Sequence, residues 1–242
     1  MSWVLANLPT IAGHLLAHLL QAVPAIIASF VLAIPIARLA RVARPLRAVL
    51  VTGSSLLYAV PSLALFVILP IILATGIRDP LNVIVALTLY GLALLVPATA
   101  DALDAVDARV LDAATAMGMG RLRCFLTVEL PLAGPAILTG LRVVTVSTIS
   151  LTTVGAVLGV RSLGWLFTDG FQRGITAEIA TGLVATAALA LVLDGLVLAL
   201  GRLCLPWTWK RAGATGQVLE ADGASAAGGR EDNGREKRET ES

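Results

Sequence analysis

Continuous apolar runs of membrane-crossing length dominate this sequence of 242 residues. A transmembrane helix needs roughly 20 apolar residues in a row, whereas a transmembrane β-strand shows about 10 residues of alternating polarity. The runs here do not alternate, and 57% of the chain is hydrophobic while 14% is charged. We therefore predict an all-α, polytopic membrane helical bundle. Its spans are predicted at about residues 17–37, 48–72, 81–100, 132–158 and 179–203.

Basic residues cluster in alternate connections between the runs. One set comprises Arg38, Arg41, Arg44, Arg47, Arg109, Arg121, Arg123, Arg202, Lys210 and Arg211. The residues before the first run carry no Lys or Arg, and the second connection carries only Arg78. Because basic residues stay on the cytoplasmic side, we expect an outside N-terminus, a cytoplasmic loop at 101–131 and a cytoplasmic C-terminus. Segment 159–178 is then outside, either on the membrane surface or as a loop anchored by aromatic residues.

Helix-breaking residues fall inside the first three runs. They are Pro24, Pro35, Gly53, Pro61, Gly91 and Pro97. Membrane helices tolerate such residues where a neighbour or a cavity satisfies the freed backbone groups. They indicate broken helices lining a cavity, with simple packing kinks as the alternative. Residues 1–211 form the predicted transmembrane domain. Residues 212–242 contain few large apolar side chains and are expected to form a disordered cytoplasmic tail.

The long cytoplasmic connection carries a helical pattern of its own. Asp107 can cap a short helix at 108–117, and Gly118 suits the left-handed position that ends a helix. We expect a second short helix at about 121–128, stopped by Pro131 at the start of the next span. The apolar side of this second helix is predicted to consist of Leu122, Phe125 and Leu126. A solvated connector is the simple alternative, but loops this long are usually functional or disordered.

The spacing within this loop resembles a known family pattern. The residues that carry it are Asp112, Ala113, Ala114, Gly118, Met119, Gly120, Val128, Leu130 and Pro131. They are similar to the EAA loop of permease subunits in bacterial binding-protein-dependent ABC importers, with Asp replacing Glu and Val replacing Ile. Residues 60–65 and 128–133 most resemble permeases for glycine betaine, carnitine and choline. Residues 95–99 and 159–164 depart from that subgroup, and the resemblance covers about residues 20–203.

The resemblance implies an assembly in the bacterial cytoplasmic membrane. Its partners are an ABC ATPase dimer, an extracytoplasmic solute-binding protein and a second permease, which is either another copy or a paralogue. Within that assembly, the short helix from Asp112 to Gly118 is expected to seat on the ATPase and couple it to the spans. The bilayer is the remaining partner, and we expect no nucleic acid.

No phosphate-binding loop can exist in this chain. Its lysines are Lys210 and Lys237, and neither follows a glycine, as a G-x-x-x-x-G-K-[ST] loop requires. We therefore expect ATP and Mg²⁺ to be bound by the partner ATPase, with no cofactor in this chain. The spans show no catalytic triad or carboxylate pair, so the chain is predicted to be a transport subunit and not an enzyme.

Polar and aromatic residues inside the spans are candidates for the translocation pathway. They are Tyr58, Pro61, Ser62, Tyr90, Arg142 and Asp194. Aromatic faces hold quaternary ammonium groups, and charges within a bilayer are costly. The structural alternatives are helix packing for the tyrosines, snorkelling for Arg142 and a polar partner on a neighbouring helix for Asp194. His14 and His18 lie four residues apart, but with no third ligand nearby we expect interfacial residues and no metal site.

The predicted function is ATP-driven uptake of glycine betaine or a related quaternary-amine osmoprotectant. A permease for another small solute, such as an amino acid or a sulfonate, is the alternative within the class. An ion-coupled secondary transporter is the alternative from another class, although no inverted repeat is evident. A membrane scaffold without transport is the third.

Overall fold

The computed structural model describes residues 2–42 and 44–207, which form helices joined by short connections. The α-helices in chain order are α1 (Ser2–Ala6), α2 (Leu8–Val42), α3 (Arg44–Ala59), α4 (Ser62–Leu73), α5 (Pro80–Asp104), α6 (Ala108–Ala116), α7 (Arg121–Cys124), α8 (Leu130–Val154), α9 (Trp165–Arg173) and α10 (Thr176–Cys204). A π-helical turn, Phe125–Glu129, joins α7 to α8, and a 3₁₀ turn, Gly155–Leu158, follows α8.

The helices confirm the predicted membrane bundle and extend several of its spans. Four stretches are long and apolar enough to cross a membrane, namely Leu8–Arg41, Pro80–Asp104, Arg121–Leu158 and Thr176–Cys204. The helices α3 and α4 are bent by 108° relative to each other. If this pair is counted as one broken span, the number of spans is five. α2 begins well before the predicted residue 17, because residues 8–16 carry no formal charge and satisfy their backbone groups by continuing the helix.

Prolines interrupt the spans less than the sequence predicts. α2 is continuous through Pro24 and Pro35, and α5 is continuous through Pro97. A proline removes one helical hydrogen bond, yet packing by neighbouring helices can hold the chain in helical conformation. The break lies at Pro61, where an extended backbone (φ −58°, ψ 127°) separates α3 from α4. α2 and α5 therefore agree with the alternative of packing kinks, and the second span is a broken helix.

α5 is the central helix of the bundle. Its buried side chains enter separate apolar clusters along its length, through Val83, Leu87, Tyr90, Leu95, Val96 and Leu103. α2 crosses it closely at Gly91, where an added Cβ would lie 2.6 Å from the Cβ of Ser29. The Ser29 hydroxyl lies 2.7 Å from the carbonyl oxygen of Ala25 and 3.2 Å from that of Thr88, so it has hydrogen-bond partners at the crossing. A small residue at a helix crossing lets the two backbones approach.

The segment between α8 and α10 docks against the bundle through part of its surface. Leu163 and Leu166 are fully buried, while Phe171 on α9 is exposed. The ring of Trp165 stacks on that of His14, with centroids 4.7 Å apart and planes 8° apart. His14 and His18 are both buried. They pack inside the bundle at the end opposite to loop 101–131.

α10 is the least buried membrane helix. Only 6% of its most apolar window is buried within the chain, and its exposed side chains include Leu183, Val184, Leu191, Val192 and Leu196. The contacts divide the chain into two units after Ala199, and residues 200–207 are the described part of the second. The predicted tail at 212–242 lies outside the described residues.

Candidate functional site

The predicted short helix of the central loop forms as α6. The Asp107 carboxylate accepts a hydrogen bond from the backbone N–H of Arg109 at 2.9 Å, which satisfies one of the free donors at the helix start. At the other end Gly118 has φ +83°, in the left-handed region that favours glycine. The Gly118 N–H donates to Thr115 O at 2.9 Å, and the Met119 N–H donates to Ala114 O at 3.2 Å. These two bonds close the end of α6 in a sharp turn.

α6 has an outward face and an inward face. Asp112 and Ala113 are exposed, and Met117 is 72% exposed. Ala114 is 2% exposed, because it lies on the side of α6 that faces the following segment. Small side chains on a short helix let another surface come close. Ala113 is available for such an approach, whereas the small side chain of Ala114 serves contacts inside the chain.

The second predicted helix does not end before the span. α7, the π-helical turn and α8 are continuous, and the Leu130 N–H donates to Phe125 O across the wide turn. Pro131 lies within this continuous helix, directly after the π-helical turn, and does not end it. The predicted stop at Pro131 is wrong for this reason.

The predicted apolar side of the second helix is divided. Phe125 is buried in the cluster beneath the loop, while Leu122 and Leu126 are exposed one helical turn apart. The exposed pair lies on a different side from the buried ring. Leu122 and Leu126 therefore form a small apolar surface next to α6, and Phe125 serves the core.

Ion pairs gather where the loop meets the spans. Arg41 of α2 bonds to Glu129, and its Nε lies 3.4 Å from Asp104 Oδ1. Arg47 Nη2 lies 2.5 Å from Asp104 Oδ2. In the sequence, Arg41 and Arg47 indicate orientation, and no pattern predicts a partner for Asp104. The signal that could have found the network is the charge opposition between 38–47 and the two ends of the loop.

The candidate pathway tyrosines lie together at the bend of the second span. Their rings meet edge to face with centroids 6.1 Å apart. The Tyr90 hydroxyl donates to Val60 O at 2.5 Å, which anchors the residue next to Pro61. Tyr90 is buried, but Tyr58 is 49% exposed. Ser62 is the first residue of α4, so Tyr58, Pro61 and Ser62 lie at the break, and Tyr90 of α5 contacts it.

Arg142 and Asp194 form a separate pair. Arg142 Nε donates to Asp194 Oδ1 at 2.8 Å, and Arg142 Nη2 donates to Asp194 Oδ2 at 2.6 Å. Two parallel bonds of this kind fix the relative position of the two groups. The pair joins α8 to α10 and agrees with the structural alternative for Asp194, a polar partner on a neighbouring helix. Among the described residues no hydrogen bond, ion pair or ring contact links it to Tyr58 or Tyr90.

A cleft opens at the end of the bundle opposite to the loop. It has a volume of about 400 Å³, and its lining includes Gln21, Arg78 and Arg161. The Gln21 amide donates to the backbone oxygens of Ala17 and Arg161, at 2.9 Å and 2.7 Å. In the part of the chain that the structure describes, no three His, Cys, Asp or Glu side chains are placed to hold a metal ion.

Residues 29–209 match the family described as "Binding-protein-dependent transport system inner membrane component". The chain belongs to this family. The prediction of an ABC importer permease, a transport subunit and not an enzyme, is thereby confirmed. The loop with α6 at its centre is the part of this permease that first indicated the family.

Named relatives agree with this placement. The choline transport system permease protein OpuBD of Bacillus subtilis (strain 168) is 30% identical over 198 residues, which cover 81% of this permease and 86% of that protein. The ergothioneine transport permease/ergothioneine binding protein EgtU of Helicobacter pylori (strain G27) is 32% identical over 151 residues, 62% of this permease. The permease spans 27% of the length of that second relative.

A solved structure shares the fold of this permease. A chain of the MetNI methionine ABC transporter, in an inward-facing conformation, matches with a TM-score of 0.71 at 20% identity. The match covers 80% of this permease and 95% of that chain. At this identity the likeness shows the fold alone.

Proposed function

We propose that this permease takes up glycine betaine or a related quaternary amine, driven by a separate ATPase that contacts α6. The observation that carries the proposal is the geometry of α6. A helix of nine residues is capped at Asp107, closed by Gly118 and leaves Asp112, Ala113 and Met117 exposed. Such a short, firmly ended helix presents a compact surface to a groove in another protein.

The energy must come from that other protein. The chain carries no phosphate-binding loop, since neither of its lysines follows a glycine. In the proposed cycle the ATPase dimer binds ATP and Mg²⁺ and closes. Closure displaces α6, and the spans change from inward- to outward-facing. An extracytoplasmic binding protein then delivers the solute, and a second permease, a copy or a paralogue, completes the pathway.

The arrangement of charge supports one orientation. Arginines crowd the end of the bundle that carries α6, as the positive-inside rule requires of the cytoplasmic side. The N-terminus is then outside, and the cleft beside Arg78 and Arg161 faces the binding protein. The C-terminus lies in the cytoplasm with α6 and the ATPase.

The substrate class rests on two independent supports. Choline and ergothioneine, which name two of the relatives, both carry a trimethylammonium group. Quaternary ammonium groups bind to the faces of aromatic rings. Tyr58, half exposed beside the break at Pro61, offers such a face on the membrane-spanning part of the chain. Tyr90 holds it in place from the buried side.

Reconstitution into proteoliposomes tests the proposal. The permease with its ATPase and binding protein is expected to accumulate radiolabelled glycine betaine or choline only when ATP is supplied. A cross-linker with one thiol-reactive group and one photoreactive group is expected to join the variant Met117→Cys to the ATPase, in a background with Cys124→Ala and Cys204→Ser. Uptake driven by an ion gradient without ATP would contradict the mechanism. ATP-driven uptake of an amino acid, with no uptake of quaternary amines, would contradict the substrate class.

A further inference from the structure

One side chain of α2 contacts both ends of the central loop. Asp104 is the last residue of α5, and Glu129 is the last residue before α8, so the loop leaves the spans at these two points. Arg41 Nε lies 3.4 Å from Asp104 Oδ1, while its Nη1 bonds to Glu129 Oε1. The two carboxylates are 25 positions apart in sequence and share one guanidinium group.

Two further contacts support the same point. Arg38 lies one helical turn before Arg41, and its guanidinium carbon is 4.2 Å from the centroid of the Phe125 ring in the π-helical turn. A cation over an aromatic face is attracted by the ring. Arg47 of α3 takes the second oxygen of Asp104 at 2.5 Å. Contacts from α2 and α3 thus hold the start of the loop, and contacts from α2 hold its end.

The chemistry of arginine suits this bridge. Its guanidinium is a rigid plane with donors on different edges, so it can bind two carboxylates at once, whereas the ammonium of lysine is a point charge. Glu129 is the less exposed of the two acids, at 14%, which favours a lasting contact. A loop held at both ends by one side chain moves with the helix that carries it. If the ends of the loop were free, the loop would bend when α6 moved, and the displacement would not reach the spans.

We propose that Arg41 is a positioning residue that clamps both ends of the loop to α2, so that displacement of α6 reaches the spans. The inference rests on the proposed contact between α6 and the ATPase. It adds a role for Arg41, Asp104 and Glu129 that requires no contact with the ATPase or the solute. Their loss should separate ATP hydrolysis from transport while leaving assembly intact.

The test measures glycine betaine transported per ATP hydrolysed by the full complex in proteoliposomes. Because a partly exposed ion pair changes an equilibrium by a factor of about two to five, we expect Arg41→Gln to lower this ratio by about that factor. Arg41→Lys keeps the charge but loses the donors on different edges of the guanidinium. Its ratio of transport to hydrolysis is expected to lie between those of Arg41→Gln and the wild type. Glu129→Gln approaches the same contact from the other side and serves if Arg41→Gln does not fold. Arg123→Gln is the matched control, since Arg123 is an exposed arginine of the same loop with no ion pair among the described residues.

Cross-linking separates failure of the clamp from failure of the proposed function. The variant Met117→Cys is first tested for cross-linking to the ATPase with Arg41 intact. If it forms no cross-link, the proposed contact of α6 is wrong, and the clamp falls with it. If it does, and Arg41→Gln keeps the wild-type ratio of transport to hydrolysis, the contact stands and the clamp is refuted. An Arg41→Lys variant equal to the wild type would refute the forked contact.

Discussion

Replacing Gly118 by alanine tests whether the sharp turn after α6 is needed for coupling. Gly118 has φ +83°, and an added Cβ would meet nothing within 4 Å, so the substitution causes no clash. Its effect comes from the backbone alone, because a residue with a Cβ is disfavoured in the left-handed conformation by about 1–2 kcal/mol. That energy corresponds to a factor of about 5–30 in the population of the native turn.

Loss of the turn has a defined structural consequence. The hydrogen bonds from Gly118 to Thr115 and from Met119 to Ala114 need the left-handed residue. Without them α6 frays at the end next to α7, and its direction is no longer fixed. We therefore expect the affinity of the permease for its ATPase, and the ATP-driven uptake rate at limiting ATPase, to fall by up to the same factor of about 5–30.

Gly120 provides a matched control in the same loop. An added Cβ there also meets nothing within 4 Å, but its backbone (φ −66°, ψ 155°) suits any residue. Gly120→Ala should behave as the wild type, and Gly118→Asn should recover part of the loss, because asparagine tolerates the left-handed region. The thermal midpoint of the isolated permease should not change in Gly120→Ala, and in Gly118→Ala it should fall by at most the few degrees that about 1–2 kcal/mol implies. Equal affinities for Gly118→Ala and Gly120→Ala would show that the turn is not needed.

Three further predictions concern the spans. Gly91→Ala would place a Cβ 2.6 Å from the Cβ of Ser29 and push α2 away from α5. We expect the substitution to lower the free energy of unfolding by about 1–3 kcal/mol, measured as a fall of about 2–12 °C in Tm by differential scanning fluorimetry. Gly195→Ala, with nothing within 4 Å, should not lower Tm, and an equal loss would contradict the packing argument. Asp194→Asn should lower Tm and make α10 more sensitive to protease. Exchanging the charges of Arg142 and Asp194 should restore the wild-type Tm and the protease resistance. If neither recovers, the ion pair does not stabilise the bundle. Tyr58→Ala should raise the KM for glycine betaine about two- to fivefold. Tyr58→Phe should leave the KM unchanged, because only the aromatic ring is needed. An unchanged KM in Tyr58→Ala would show that Tyr58 does not line the pathway.

The elements that the sequence predicts well are those set by local chemistry. The apolar runs determine the membrane helices, because a backbone in lipid must satisfy its own hydrogen bonds. Asp107 and Gly118 mark the ends of α6, because capping and left-handed geometry depend on single residues. The family pattern lies on the same local features. Fold class and loop could therefore be predicted from the sequence.

The features that escaped prediction depend on neighbours distant in sequence. Pro24 and Pro35 do not break α2, since tertiary packing decides whether a proline bends or interrupts a helix. Arg142 and Asp194 are separated by 52 positions, and only the fold brings them together. The bridge at Arg41 joins residues from three helices in the same way.

The π-helical turn between α7 and α8 takes up one residue more than the same length of α-helix. Each residue of an α-helix advances it by about 100° and 1.5 Å. Deleting one residue from Phe125–Glu129 and closing the turn as α-helix would therefore leave Leu122 close to its present direction around the axis of α8, whereas a deletion within α8 would rotate Leu122 by about 100°. The junction between loop and span is thus the place where this permease can lose one residue while its loop keeps facing the same way.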